Sequence, residues 1–131
     1  MIDYRRDHPI QDEQLRDIFL RAGLKRPTDD LERIGRMNAN ANLSITAWEG
    51  EKLVGVARSL TDFAFCCYLS DLAVDQDYQR SGIGKELVRL TQEAAGPESM
   101  LLLLSVPNAM EYYPRIGMTA VPNGWILPRA Q

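Results

Sequence analysis

Between Leu69 and Leu90 the chain reads LSDLAVDQDYQRSGIGKELVRL. An apolar, strand-forming run ends at Val74. A short polar turn follows, and Gln79-Arg80-Ser81-Gly82-Ile83-Gly84-Lys85 leads into an amphipathic helical repeat. This arrangement can hold an anion. The first N–H groups of a helix lack internal partners, and the helix dipole favours negative charge there. Gly82 and Gly84 carry no Cβ, so the main chain can approach a phosphate closely. Arg80 and Lys85 add positive charge, although either could equally be a solvated surface residue.

Two other glycine-rich phosphate motifs fail residue by residue. A P-loop needs G-x-x-x-x-G-K-[ST]. Gly84-Lys85 supplies the G-K, but Gln79 occupies the first glycine position and Glu86 replaces the hydroxyl residue that would bind magnesium. A dinucleotide fingerprint needs G-x-G-x-x-G or A. Gly82 and Gly84 fit its first half, and Leu87 occupies its third position.

The loop must be held by strands and helices, and the hydrophobic spacing predicts them. Ile2 to Arg5 alternates like an edge strand. From Asp12 to Ala22, Leu15, Ile18, Phe19 and Ala22 form one helix face, and Gly23 stands at the C-terminal cap position. A basic connector, Leu24 to Pro27, precedes a second helix starting near Asp29. Asp29 and Glu32 are spaced as a capping box, and the stripe is Leu31, Ile34 and Met37. Asn38 to Asn42 reads as a loop. Leu43 to Trp48 and Leu53 to Leu60 form a hairpin about Glu49 to Lys52, with Gly55 marking a bulge or a close backbone approach. Thr61-Asp62 turns into Phe65 to Val74, an almost unbroken apolar run expected to be covered on both faces.

After the glycines, Ile83, Leu87, Leu90 and Ala94 give a helix stopped by Gly96-Pro97. Met100 to Leu104 is a second run expected to be buried on both faces. Strand, helix and strand in this order predict a parallel βαβ unit. Asn108 then caps a short helix through Arg115 that Pro114 should kink. Met118 to Val121 and Trp125 to Leu127 flank Asn123-Gly124, a strong hairpin signal. The predicted fold class is mixed α/β. It has one mostly antiparallel sheet, a central parallel βαβ unit and helices on both faces.

The chain has 131 residues, enough for a single domain spanning residues 1–131. Its 45% hydrophobic and 25% charged content is that of a globular protein. A net charge of −3 argues against a nucleic-acid partner. Cys66 and Cys67 are neighbours, would point to opposite faces of a strand, and are expected to be unpaired core residues of a reducing compartment. With one histidine they cannot build a zinc site, so no metal is expected. Neither a signal peptide nor a membrane span is legible, and the expectation is a cytoplasmic protein without a membrane partner.

Gln79 to Gly84, QRSGIG, resembles the [R/Q]-x-x-G-x-[G/A] pyrophosphate loop of the Gcn5-related N-acetyltransferases (the GNAT family). The strand before it ends in Leu72-Ala73-Val74. Downstream, Asn108 to Met118, NAMEYYPRIGM, is similar to the family's N-A-x-x-[FY]-Y-x-x-x-G-[FM]. Two motifs in order, with a strand-forming run between them, cover roughly residues 43 to 121. Taken singly, the glycines could be a tight turn and Tyr112 and Tyr113 core aromatics.

The resemblance implies an acyl-CoA N-acyltransferase fold, acetyl coenzyme A as donor and a primary amine as acceptor, attacked directly. It implies main-chain pairing of Leu72, Ala73 and Val74 with the pantetheine arm. It also implies that this strand splays from Leu103 to Ser105, leaving a slot that Asn108 would reach. Backbone groups of Gln79, Arg80, Ser81, Gly82, Ile83, Gly84 and Lys85 would hold the pyrophosphate. Tyr113 takes the position of the family's general acid, and the oxyanion would meet a backbone N–H at Val74 or nearby. The family often keeps a glutamate in the central strand, where this chain has Tyr68 and Ser70. Asp71 is the strand's only carboxylate and the first candidate for catalysis, as a base or as holder of a water or an ammonium; Asp62 is a lesser one. The acceptor would lie near Leu24 to Pro27, Phe63, Tyr68 and Trp125, in a pocket open to solvent or completed by a second subunit of a homodimer. Two other functions stay open: a non-catalytic acyl-CoA-binding module and an acetyltransferase acting on protein lysines or N-termini.

Overall fold

A computed structural model describes residues Met1–Gln131. It contains β1 (Ile2–Arg6), α1 (Asp12–Ala22), α2 (Leu31–Asn40), β2 (Leu43–Glu49), β3 (Lys52–Thr61), β4 (Cys66–Val74), α3 (Ile83–Ala95), β5 (Met100–Leu102) and α4 (Tyr112–Arg115). The five strands form one sheet in sequence order. The first three pairings are antiparallel, and β4 pairs with β5 in parallel across α3, as the βαβ pattern predicts.

Two cores sandwich the sheet. On one face Ile83, Leu87 and Val88 of α3 pack on Leu43, Ile45, Val54, Ala57, Cys67 and Leu69. On the other, Leu15, Ile18 and Phe19 of α1 and Ile34 of α2 pack on Trp48, Leu53, Val56 and Ala73. An 11-residue helix is marginal alone in water, so α1 owes its stability to this packing. Each fully buried side chain of its stripe contributes about 1.5–3 kcal/mol.

Two bulges redirect side chains. The β2–β3 register shifts beside Ala47 and Trp48, leaving Val54 as the extra residue next to Gly55. A Cβ on Gly55 would lie 3.1 Å from Leu87 and 3.3 Å from Ile83, so α3 rests directly on that backbone. The β3–β4 register shifts between Arg58 and Ser59, leaving Ser70 as the extra residue. The alternation of β4 is reset there. Cys67 and Leu69 belong to the α3 core, while the side chains of Ser70 and Asp71 both meet Arg58.

Several expectations are corrected. The cap of α2 is Asp30, which accepts from the Arg33 N–H, and α2 continues through Asn40 rather than yielding to a loop at Asn38. Cys66 is exposed, not a core residue; Cys67 is buried and unpaired as expected. Met100 and Leu104 are exposed because β5 is a three-residue edge strand with no neighbour on its far side. Residues 107–115 are not one helix. A 3-10 turn, Pro107–Ala109, is followed by α4, and Asn108 lies inside the turn whose cap is Val106. The split leaves Pro114 in the first turn of α4, where its missing N–H costs no bond. No hairpin forms around Asn123-Gly124, and Trp125 and Leu127 are exposed. Pro122 and Pro128 lack ladder donors, and so short a hairpin is marginal in water.

Candidate functional site

The sheet opens where β4 and β5 part. Their pairing covers only Cys66–Met100, Cys67–Leu101 and Tyr68–Leu102. Beyond Tyr68 the two strands diverge, giving the splay implied between Leu72–Val74 and the residues after Leu102. The ladder on the other side of β4 shows which groups are left free. The Asp75 N–H bonds the Val54 carbonyl at 2.9 Å, one step beyond the opposed pair Gly55–Val74. In an antiparallel ladder this makes Gly55–Val74 a non-bonded pair, so the N–H and C=O of Val74 point into the gap. Leu72, two residues earlier, points the same way. The Val74 carbonyl accepts from the Gln79 side-chain amide at 3.0 Å, tying the glycine loop to the strand end.

The loop between β4 and α3 is sharply folded. Gln76–Tyr78 form a 3-10 turn capped by Asp75. Burial raises the Asp75 carboxyl, but the Asp77 N–H and Arg21 outweigh this and hold it below the usual range. Arg80 (φ 66°) and Gly82 (φ 86°) both adopt left-handed backbone, and Gly82 is the N-cap of α3. No side chain caps α3, so its first N–H groups face the loop interior unpaired. The Ser81 hydroxyl donates to the Tyr78 carbonyl. At Gly84 the approach is close: an added Cβ would meet Tyr112 Oη at 2.5 Å.

Gap and loop together form one cavity of about 580 Å³. Of the residues assigned to donor binding from the sequence, Leu72, Ala73, Val74, Gln79, Arg80, Gly82, Ile83, Gly84, Lys85, Asn108 and Tyr113 line it. Ser81 does not. Tyr112, expected only to pack, lines it too, with its ring edge-to-face on Tyr113 at 5.1 Å. Burial raises the Tyr113 hydroxyl above the usual tyrosine value, Tyr112 adds to the rise, and Arg26 pulls against it.

Asp71 is not brought to the cavity. It is fully buried, with the Arg26 Nε donating to one carboxylate oxygen and the Arg58 Nε to the other. Arg26 also donates to the carbonyls of Lys25 and Ser70, and Arg58 to the Met37 carbonyl and the Ser70 hydroxyl. A carboxylate spanned by two guanidiniums holds the connector after α1 to β3 and β4 and is poorly placed to take a proton from a ligand. Asp62 does not line the cavity either, and its surroundings make it a weak base. Its Oδ1 accepts the N–H groups of Ala64, Phe65 and Cys66, which lower its pKa to about 2.

Of the implied acceptor region, Leu24 and Arg26 line the cavity, whereas Phe63, Tyr68 and Trp125 do not. Sequence reasoning missed Arg26 as an individual residue, and also Gln76, whose amide would lie 2.8 Å from a Cβ on Gly23. The basic connector was the only signal for Arg26, because its partner Asp71 is 45 residues away.

The architecture is shared with solved acetyltransferases. A "probable acetyltransferase" from Staphylococcus aureus superposes with a TM-score of 0.83 at 20% identity, covering 98% of this chain and 99% of that one. An aminoglycoside N-acetyltransferase in complex with CoA superposes with a TM-score of 0.74 at 14% identity, covering 100% and 96%. At such identities the likeness is one of fold. Residues 9–118 match the Acetyltransferase (GNAT) family, and the chain belongs to that family. It is 33% identical over 76 residues to the GCN5-related N-acetyltransferase 2, chloroplastic, of Arabidopsis thaliana, a match covering 56% of this chain and 30% of the relative. The chain thus spans about a third of the length of the first curated relatives it matches. No helix is long and apolar enough to cross a membrane.

Proposed function

We propose that the protein is an N-acetyltransferase that moves the acetyl group of acetyl coenzyme A to a primary amine of a small molecule or peptide. One observation carries this reading. The unpaired edge of β4, the uncapped N-terminus of α3 and the Tyr113 side chain all border a single cavity. The residues suit the donor. The first N–H groups of α3 offer a diphosphate site, with Arg80 and Lys85 at its rim, and the main chain at Leu72 and Val74 offers strand-like hydrogen bonds to an amide-bearing arm.

When bound, the donor supplies an acetyl thioester. The acceptor nitrogen forms a bond to the acetyl carbon, and the carbon–sulfur bond breaks. The proton that the nitrogen loses leaves to solvent, and the Tyr113 hydroxyl gives its own to the departing sulfur. Tyr113 is then reprotonated, so a neutral amine and the thioester become an amide and a thiol with no net proton change. A hydroxyl raised by burial keeps its proton at neutral pH, as an acid must. The Val74 N–H, turned into the gap, is the donor available to the carbonyl oxygen. No Asp or Glu lines the cavity, so the amine must arrive neutral or lose its proton through water.

That missing carboxylate also favours the second reading, a non-catalytic acyl-CoA-binding module. Release of free thiol from acetyl coenzyme A over a panel of amines separates the two. Turnover with any amine supports transfer; tight donor binding with no turnover supports the binding module.

A further inference from the structure

We propose that Arg26 forms a carboxylate-recognising subsite and that the acceptor is an amine carrying its own carboxylate, such as an amino acid or a peptide whose terminal carboxylate lies near its amine. This rests on the acetyl-transfer reading and names the substrate class for it.

The charges in the cavity are one-sided. Arg26, Arg80 and Lys85 line it, and no Asp or Glu does. Arg80 and Lys85 flank the start of α3, where a donor's phosphates would neutralise them. Arg26 comes instead from the connector after α1, beside Leu24, and lies close enough to Tyr113 for its charge to bear on that hydroxyl. It is the cation left for the acceptor.

The network behind Arg26 is short of negative charge. Arg26 and Arg58 share one carboxylate, Asp71, and neither has another acidic partner. Two guanidiniums on one carboxylate leave one net positive charge. The Arg58 side chain is 9% exposed and that of Asp71 0%, while Arg26 keeps 24%. The remaining acceptors on the pair are carbonyls and a hydroxyl, which orient a guanidinium without neutralising it. Unbalanced charge in partly desolvated surroundings is costly, and an anion at the exposed part of Arg26 would balance it. Arg26 has donors to spare: its five N–H groups meet three acceptors. A guanidinium fixed by a buried carboxylate is a pre-oriented fork for a second carboxylate. The same charge repels polycationic amines.

The test uses the full chain at saturating acetyl coenzyme A and reads thiol release. Each acceptor is offered in three forms: the amino acid, its carboxamide, and a diamine of matching length. The expected result is a kcat/KM at least about 10-fold higher for the acid than for its carboxamide, and lowest for the diamine. Arg26→Gln should collapse the acid-to-amide ratio toward unity by raising KM for the acid, with KM for acetyl coenzyme A unchanged. Arg26→Lys should keep part of the preference. Equal or better use of carboxamides or diamines by the unmodified protein overturns the proposal without needing any variant to fold. If no amine turns over, the transfer reading fails instead. Calorimetric binding of acid against amide to the donor-loaded protein then decides the subsite, which stands if the acid binds at least 10-fold tighter and falls if it does not.

Discussion

The hydroxyl of Tyr112 stands 2.5 Å from the point where a Cβ on Gly84 would be, so the first turn of α3 and α4 meet with no room for a methyl group. Gly84 has ordinary helical backbone, and alanine there would otherwise favour the helix by about 0.5–1 kcal/mol. Gly84→Ala should therefore leave unfolding within about 1 kcal/mol of the parent while pushing the Tyr112 ring into the cavity, weakening acetyl coenzyme A binding on the order of 10-fold. Tyr112→Phe removes the offending oxygen and should restore much of the loss. Calorimetry over this double-mutant cycle checks the coupling; simple additivity would refute it.

Removing the Asp71 carboxylate should be among the most damaging single changes in the chain. Asp71→Asn leaves Arg26 and Arg58 facing each other with no anion, a loss of about 3–5 kcal/mol for a buried pair stripped of one partner. Urea unfolding measures it. If Asp71 were instead the proton acceptor, the variant would lose turnover with little loss of stability.

Tyr113→Phe should lower turnover by about 10²–10⁴-fold and leave acetyl coenzyme A affinity within a factor of about two. The pH profile carries a sign. Tyr113 titrates above the usual tyrosine value, chiefly through burial, so it remains a competent acid throughout the neutral and mildly alkaline range. The rate should rise with pH as the acceptor ammonium, pKa near ~10, loses its proton. A fall in rate that begins below pH 9 would contradict this assignment.

The β3–β4 turn should respond to acid. The backbone N–H groups on Asp62 lower its pKa from 3.8 to about 2. A depressed carboxyl stabilises the fold above its unfolded pKa, and the contribution disappears as pH falls from about 4 to about 2. Protection of the Ala64, Phe65 and Cys66 amides, measured against their intrinsic exchange rates at each pH, should fall over that window, and Asp62→Ala should remove it at every pH.

Local signals in the sequence carried most of the fold. Gly23, Gly55, Gly82 and Gly96 each mark a real cap, bulge or helix end, because a left-handed or closely approached backbone is set by neighbouring residues. The loop and Tyr113 were legible for the same reason: each is a short motif. The β4 bulge was not. One extra residue at Ser70 looks like ordinary strand sequence, yet it moves Asp71 off the face that carries Cys67 and Leu69 and toward Arg58. Its partner Arg26 is equally invisible, since ion pairs across 45 residues leave no periodicity. The Asn123-Gly124 turn signal misled because a hairpin also needs flanking strands able to pair, and prolines bracket this one.

The seam between β4 and β5 holds only three pairs, so most of β4 has no strand beside it on its β5 side. The Leu72 main-chain groups and the Val74 N–H, which a neighbouring strand would normally satisfy, are left for water or for a guest, while the Val74 carbonyl already accepts from Gln79. A donor lying there would complete the secondary structure, and the occupied protein should be harder to unfold than the empty one by about 2.7 kcal/mol at one hundred times its dissociation constant. The supply of acyl donor in the cell would then govern how long the chain survives proteolysis as well as how fast it turns over.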